Sequence, residues 1–246
     1  MPEIYRTDGL DFAAHDAGID RAAQVLAAGG LALIPTETVY GLSVAVEPLM
    51  AWQPPAGTAA DAQVNGAPLP PPDSGYRRIF SVKRRELTQT VPWLVAGVED
   101  LDRYGRDIDD ATRALAAAFW PGALTLIVRA SDRVPRFMQA ADGTVALRCS
   151  ASPVVAALIR ACGCPLATTS ANTHGNPAPA SFDAVEPEVL AGVDAAIDAG
   201  ETRCRDASSI VSCVSGAVVI ARHGALSDEE ILRVAARAGA AAVQEA

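Results

Sequence analysis

Aromatic side chains are scarce in this chain, at 5 % of its residues, and there are three histidines. With so few Phe, Tyr and Trp, no aromatic-and-basic platform for stacking RNA bases can be traced. His15, His174 and His223 are scattered, and no H-E-x-x-H pair is present, which removes the usual zinc-hydrolase arrangement. There is no G-x-x-x-x-G-K-[ST] loop, no G-x-G-x-x-G turn and no G-x-S-x-G elbow, so a P-loop, a dinucleotide fold and a serine hydrolase are unsupported. Basic charge is also in deficit. Lys and Arg total 20 against 29 Asp and Glu, a net charge of −9, and such a chain is not steered toward nucleic acid by its overall field. No apolar run reaches the roughly 20 residues of a membrane span. The opening MPEIYRTDGLDF lacks the charged-then-apolar pattern of a secretion signal, so export is not expected. The five cysteines form no CxxC and no even frame, which points to reduced thiols in a cytoplasm. Their one close pair, Cys162 and Cys164, reads as small buried residues more than as metal ligands.

What is present is apolar material. Half of the 246 residues are hydrophobic, enough for a core without disulfides. Helical spacing of Ile19, Ala22, Ala23 and Leu26 predicts a helix over 16–28, stopped by Gly29 and Gly30. Short apolar runs predict strands at 31–34, 43–46, 91–95, 124–130, 144–148, 165–170 and 217–222. Helices are expected at 76–82, 109–120 and 152–162, the last with Pro153 in its first turn, where a missing N–H costs little. Ser227 and Glu230 form a capping box that opens a final helix. Strands and helices alternate irregularly, which predicts a mixed α/β sheet in a single domain over 1–246. Residues 47–75, rich in Pro, Ala and Gly and without period, read as a flexible insertion within that domain. Such a segment is expected to bury little, so that a Gly-Ser bridge in place of residues 50–72 leaves the fold intact.

Four polar segments each follow a short strand: PTETVYGL (35–42), KRR (83–85), TTSAN (168–172) and ARHG (221–224). Loops at strand ends are where sites are commonly built. Thr36, Thr38, Thr125, Thr169, Ser170 and Asn172 offer neutral donors and acceptors, while Lys83, Arg85, Arg148 and Arg222 offer positive charge. Together they suit an anionic ligand bearing phosphates and a carboxylate.

The order of the segments is more specific. GGLALIPTETVYGLSVAV (29–46) resembles the opening signature of the YrdC-type threonylcarbamoyl-AMP synthases. In the same order come Lys83 and Arg85 as a K-x-R pair, WPGALTLIV (120–128), VALR (145–148), PLATTSANTHGNPAP (165–179), SSIV (208–211) and VIARHGAL (219–226). The resemblance departs at Glu86 and Thr90, where the family usually has Pro, and near Leu94, where it often has His. It also departs at Ala207-Ser208-Ser209, where Glu-Ser-Thr is usual.

The resemblance implies a twisted mixed α/β sheet with flanking helices around a large open cavity, in a short form with the YrdC-like domain alone. It implies a cytoplasmic nucleotidyltransferase. Threonine and bicarbonate form a carbamate, its oxygen attacks the α-phosphate of ATP, and threonylcarbamoyl-AMP and pyrophosphate result. Partner proteins then carry the group to adenosine 37 of tRNA, with at most weak tRNA contact by this chain and none with membranes. By the same resemblance Lys83 and Arg85 are catalytic clamps that also bind ATP. Thr36, Thr125 and Arg148 bind threonine; Ser170, Asn172, Ser208 and Arg222 bind ATP. Mg²⁺ comes with ATP and has no protein side-chain ligands. A non-synthase relative of the same fold, or an RNA-binding ribosome-maturation factor, is the alternative.

Overall fold

Apolar strands of four to seven residues set the architecture, because they can bury both faces only inside one sheet. The computed structural model describes residues 2–7, 17–56 and 60–239. Its strands are β1 (Glu3–Arg6), β2 (Ala32–Pro35), β3 (Tyr40–Ala45), β4 (Gln63–Val64), β5 (Ala67–Pro68), β6 (Trp93–Leu94), β7 (Gly105–Arg106), β8 (Leu124–Ala130), β9 (Thr144–Arg148), β10 (Leu166–Ser170), β11 (Ala195–Asp198), β12 (Ser209–Ser212) and β13 (Val219–Arg222). Its helices are α1 (Ala17–Ala27), α2 (Glu47–Met50), α3 (Gly75–Lys83), α4 (Asp100–Tyr104), α5 (Asp110–Phe119), α6 (Pro153–Cys162), α7 (Pro187–Ala191) and α8 (Asp228–Arg237).

Eleven strands form one sheet in the order β1-β11-β2-β3-β10-β6-β9-β8-β12-β13, with β7 beside β8. Pairing is mixed: β1/β11, β11/β2, β6/β9 and β8/β12 are parallel, while β2/β3, β3/β10, β10/β6, β8/β9 and β12/β13 are antiparallel. The expected mixed α/β sheet is therefore present. Every residue of β2 and β3 is buried. Helix α1 buries Ile19, Ala22, Ala23 and Leu26 and packs on α6 and β11, while α5 packs on α8. The caps follow the sequence: Asp109 accepts from the Thr112 N–H at 2.6 Å, and Ser227 accepts from the Glu230 N–H at 3.3 Å.

Several elements differ from expectation. The first helix is expected from residue 16, which lies outside the described residues; within them it begins at Ala17. Strand β3 starts at Tyr40, three residues before the expected 43–46, and only Trp93 and Leu94 of 91–95 pair. Strands β1, β11 and β12 and helices α2, α4 and α7 lie where none is expected.

The insertion is the main correction. Asn65 (φ +53°) and Gly66 (φ +73°) close a two-residue turn between β4 and β5, the Asn-Gly hairpin turn that needs positive φ at both positions. The hairpin is pinned, because the Asn65 side-chain amide donates to the carbonyls of Arg136 and Gln139 at 3.1 and 2.8 Å. Val64 and Leu69 are buried, at 6 % and 1 % exposure. Trp52 meets Phe137 edge-on at 6.3 Å, and Arg77 grips Asp61 with two bonds of 3.1 and 3.0 Å. Pro and Gly density therefore hides a docked hairpin.

Loop-closure entropy alone would set the cost of replacing residues 52–70 with a Gly-Ser bridge at under about 1 kcal/mol. Losing the packing of Val64 and Leu69 raises the expected cost to about 3 kcal/mol, a fall of about 6–12 °C in Tm. A thermal melt that leaves Tm unchanged would show that the hairpin adds nothing to the core.

Candidate functional site

Strand alternation puts side chains i and i+2 on one face of a sheet. Here it brings Thr125 and Ile127 of β8, Ala146 and Arg148 of β9, Thr168 and Ser170 of β10, and Ser208 and Ile210 around β12 to one side. With the turn from Thr36 to Gly41, Leu94, Arg85 and Arg222, they line a cleft of about 280 Å³. A larger hollow of about 430 Å³ lies by α4 and α6. It contains none of the candidate residues, and burial pushes up both thiols on its wall, Cys164 and Cys149, the latter to about 11.

The turn after β2 is knotted by one hydroxyl. Thr36 Oγ1 donates to the Val39 carbonyl at 2.7 Å and accepts from the N–H groups of Thr38 and Val39, with Thr38 Oγ1 at 2.8 Å. The following segment is tied down from the far side: Thr202 Oγ1 donates to the Thr38 carbonyl at 2.7 Å, and the Cys204 N–H donates to the Glu37 carbonyl at 2.8 Å. Thr36 is thus both a wall of the cleft and the staple of its loop.

Three guanidiniums reach the cleft. Arg148 Nη2 bonds Glu37 Oε1 at 2.6 Å, and its Nε donates to the Gly122 carbonyl at 3.1 Å. Arg222 donates to the Ser208 carbonyl and hydroxyl at 2.8 and 3.0 Å, and that hydroxyl lies 2.8 Å from Thr125 Oγ1. Arg85 donates to Thr169 Oγ1 at 3.2 Å and also to the Thr90 carbonyl and Gln89. Burial lowers the pKa of Arg85, and burial with the nearby charge of Arg148 lowers that of Arg222. Gly224 lets the ARHG loop pass over the β12 entry: a Cβ there would sit 2.4 Å from the Ala207 carbonyl oxygen.

The expected residues divide. Thr36, Thr125, Arg148, Arg85, Ser170, Ser208 and Arg222 line the cleft; Lys83 and Asn172 are not part of its lining. The Lys83 ammonium points into the TTSAN loop, donating to the carbonyls of Ser170 and Asn172 and to Asn172 Oδ1, the last two at 2.7 and 3.2 Å. Its donors are engaged by protein oxygens, so in this geometry it braces the loop. Burial and then Arg85 push its pKa down to about 8. Asn172 is likewise tied, its amide donating to the carbonyls of Thr173 and Asn176 at 3.0 and 2.6 Å.

Sequence reading also passes over Glu37 and Ser150, both buried. Glu37 is a carboxylate in the midst of an apolar signature, and that contrast is the available signal. Among the described residues no three His, Cys, Asp or Glu side chains converge as a metal ligand set, and no helix is long and apolar enough to cross a membrane.

Known proteins share this sequence and shape. The family described as Telomere recombination (Sua5_yciO_yrdC) matches residues 71–224. A threonylcarbamoyl-AMP synthase of Xanthomonas euvesicatoria is 36 % identical over 82 % of this chain and 96 % of its own length. One of Pyrococcus abyssi is 32 % identical over 87 % of this chain, which spans 56 % of that longer relative. A crystal structure of Pyrococcus abyssi Sua5 complexed with L-threonine superposes with a TM-score of 0.79 at 28 % identity, covering 99 % of this chain and 62 % of that one. Escherichia coli YciO shares the fold at a TM-score of 0.75 and 18 % identity, covering 94 % of this chain and 99 % of its own. With the motifs in order and the cleft assembled from them, the chain belongs to the Sua5/YciO/YrdC family and groups there with the threonylcarbamoyl-AMP synthases, which are nucleotidyltransferases.

Proposed function

We propose that the cleft condenses L-threonine, bicarbonate and ATP into threonylcarbamoyl-AMP and pyrophosphate, for transfer by partner proteins to adenosine 37 of tRNA. The observation that carries this reading is the convergence of Arg85, Arg148 and Arg222 on one cleft beside hydroxyls of Thr36, Thr125, Ser170 and Ser208. A carbamate attacking the α-phosphate brings two anions together. Two unit charges 4 Å apart repel by about 4 kcal/mol at an effective dielectric of about 20. Fixed guanidiniums offset that repulsion and meet the charge that grows on the leaving pyrophosphate.

In this reading Arg148, Thr125 and the Thr36 turn hold L-threonine, the ligand with which Pyrococcus abyssi Sua5 was crystallised. Arg85, Ser170, Ser208 and Arg222 hold the nucleotide, while Lys83 and Asn172 shape the loop that presents Ser170. Val39, Pro92, Leu94, Ile127, Ala146 and Ile210 supply the apolar part of the wall. Mg²⁺ enters as part of the substrate, bound to the ATP phosphates. The protein residues fit that role, because the carboxylate nearest the guanidiniums, Glu37, is already committed to Arg148 and Ser150. Once the carbamate exists, no proton need move to make the new bond, and positioning of the two reactants carries much of the rate. Five unpaired cysteines among the described residues suit a reducing cytoplasm.

Pyrophosphate release is expected to require threonine, bicarbonate and Mg²⁺ together, and equal release without threonine would identify a simple ATPase. Arg85→Ala is expected to lower turnover about a hundredfold, the equivalent of about 3 kcal/mol of oriented charge. Lys83→Met should lower turnover by a different route. The carbonyls of Ser170 and Asn172 lose their buried donor, so amide hydrogen exchange across residues 169–176 should rise about tenfold or more. Exchange unchanged from the parent would show that Lys83 does not brace this loop.

A further inference from the structure

Glu37 is a buried carboxylate that the proposed chemistry does not use. It is 4 % exposed, and its partners Arg148 and Ser150 are each 6 % exposed. Burial alone would raise its pKa, but the Arg148 charge and hydrogen bonds from Ser150 and Arg148 outweigh that and hold it below the usual carboxylate range. The carboxylate is therefore an anion at neutral pH. Its two oxygens are divided: Oε1 accepts from Arg148 and Oε2 from the Ser150 hydroxyl. Ser150 is itself fixed, since its Oγ accepts from the Ser152 N–H at 3.2 Å, and Ser152 Oγ donates back to the Pro35 carbonyl at 3.1 Å. Arg148 is thus held at two points, Nε on Gly122 and Nη2 on Glu37, while the group still forms part of the cleft wall.

We propose that Glu37 is a positioning residue that aims the Arg148 guanidinium into the cleft to receive the carboxylate end of the amino-acid substrate. This rests on reading the cleft as the synthase site. Two other roles compete, and they differ in sign. If Glu37 served only to neutralise charge beside three guanidiniums, removing its charge would strengthen anion binding. If it served only the fold, its loss would lower Tm and the active fraction without altering the threonine KM. A positioning role predicts the opposite of the first and more than the second. An Arg148 freed from its anchor rotates among rotamers, and a guanidinium that must be re-ordered binds a carboxylate more weakly.

The test is Glu37→Gln, which keeps the shape and a hydrogen-bond acceptor but removes the charge, together with the milder Ser150→Ala. The first readout is NMR of the Arg148 Nε–H, assigned by its loss in Arg148→Lys. This proton should exchange slowly in the parent protein and at least about tenfold faster in Glu37→Gln. The second is steady-state kinetics. The threonine KM should rise about tenfold in Glu37→Gln and about threefold in Ser150→Ala, with the ATP dissociation constant within about twofold of the parent. A threonine KM that falls or stays constant, or an Nε–H as protected as in the parent, overturns the proposal. Should Glu37→Gln fail to fold, Ser150→Ala decides by the same two readouts. Should the parent protein show no threonine-dependent turnover, the synthase reading fails separately, and the Nε–H exchange still decides whether Glu37 holds Arg148.

Discussion

Positive charge without a matching anion is the constraint on which this molecule turns. Arg148 on β9, Arg222 on β13 and Arg85 in the loop after α3 line one cleft of a sheet built mostly from Val, Leu, Ile and Ala, and desolvation lowers the pKa of Arg85 and Arg222. Only Arg148 has a carboxylate at bonding distance among the described residues; Arg85 and Arg222 rest on neutral hydroxyl, amide and carbonyl oxygens. Neutral acceptors hold a guanidinium in place without cancelling its field. A charge held this way in a partly desolvated cleft attracts an anionic ligand more strongly than the same charge on an open surface. The fold tolerates the arrangement because the sheet core supplies the stability that the cleft does not.

The topology explains why these groups meet. The central run β3-β10-β6-β9-β8-β12-β13 is assembled from segments far apart in sequence. Register places Leu94 opposite Arg148 and Ile210 opposite Thr125 and Arg222. Cross-ties then remove the remaining freedom. Lys83 holds the loop after β10, Thr202 and Cys204 hold the turn after β2, and Gly224 allows the last loop to press on Ala207 and Ser208. Each tie joins a loop at one strand end to an element distant in the chain. The cleft is therefore a property of the whole sheet and not of any one motif.

Much of this is legible in the residues alone. Long amphipathic helices such as α5 and α6, the strands β8 and β9, and the Ser227 cap carry strong local signals, and the motifs place seven of nine candidate residues on the cleft. What is hidden has physical reasons. β11 is Ala-Ala-Ile-Asp, with one β-branched residue, and it becomes a strand because β1 and β2 flank it. The hairpin in the insertion is signalled by Asn65-Gly66, but the surrounding Pro and Gly mask two-residue strands too short to show a period. The loop contacts of Lys83 are hidden because spacing cannot tell a lysine aimed at a ligand from one that also bonds backbone carbonyls. Glu37 escapes notice because its role exists only once Arg148, remote in sequence, is brought alongside.

Leu94 shows how a departure from the family pattern fits the same electrostatics. It lies beside Arg148 in the sheet and forms part of the apolar wall with Ile127, Ala146 and Ile210. A histidine at this position would add a group that titrates near neutrality beside a guanidinium whose charge matters. A leucine adds none, and its low polarisability strengthens the field that Arg148 exerts. Among the supports of the wall, burial pushes the Lys83 ammonium down to about 8, within reach of mild alkali. Because that ammonium donates to the carbonyls of Ser170 and Asn172, loss of its proton acts on the loop it braces and reaches the cleft through the placement of Ser170.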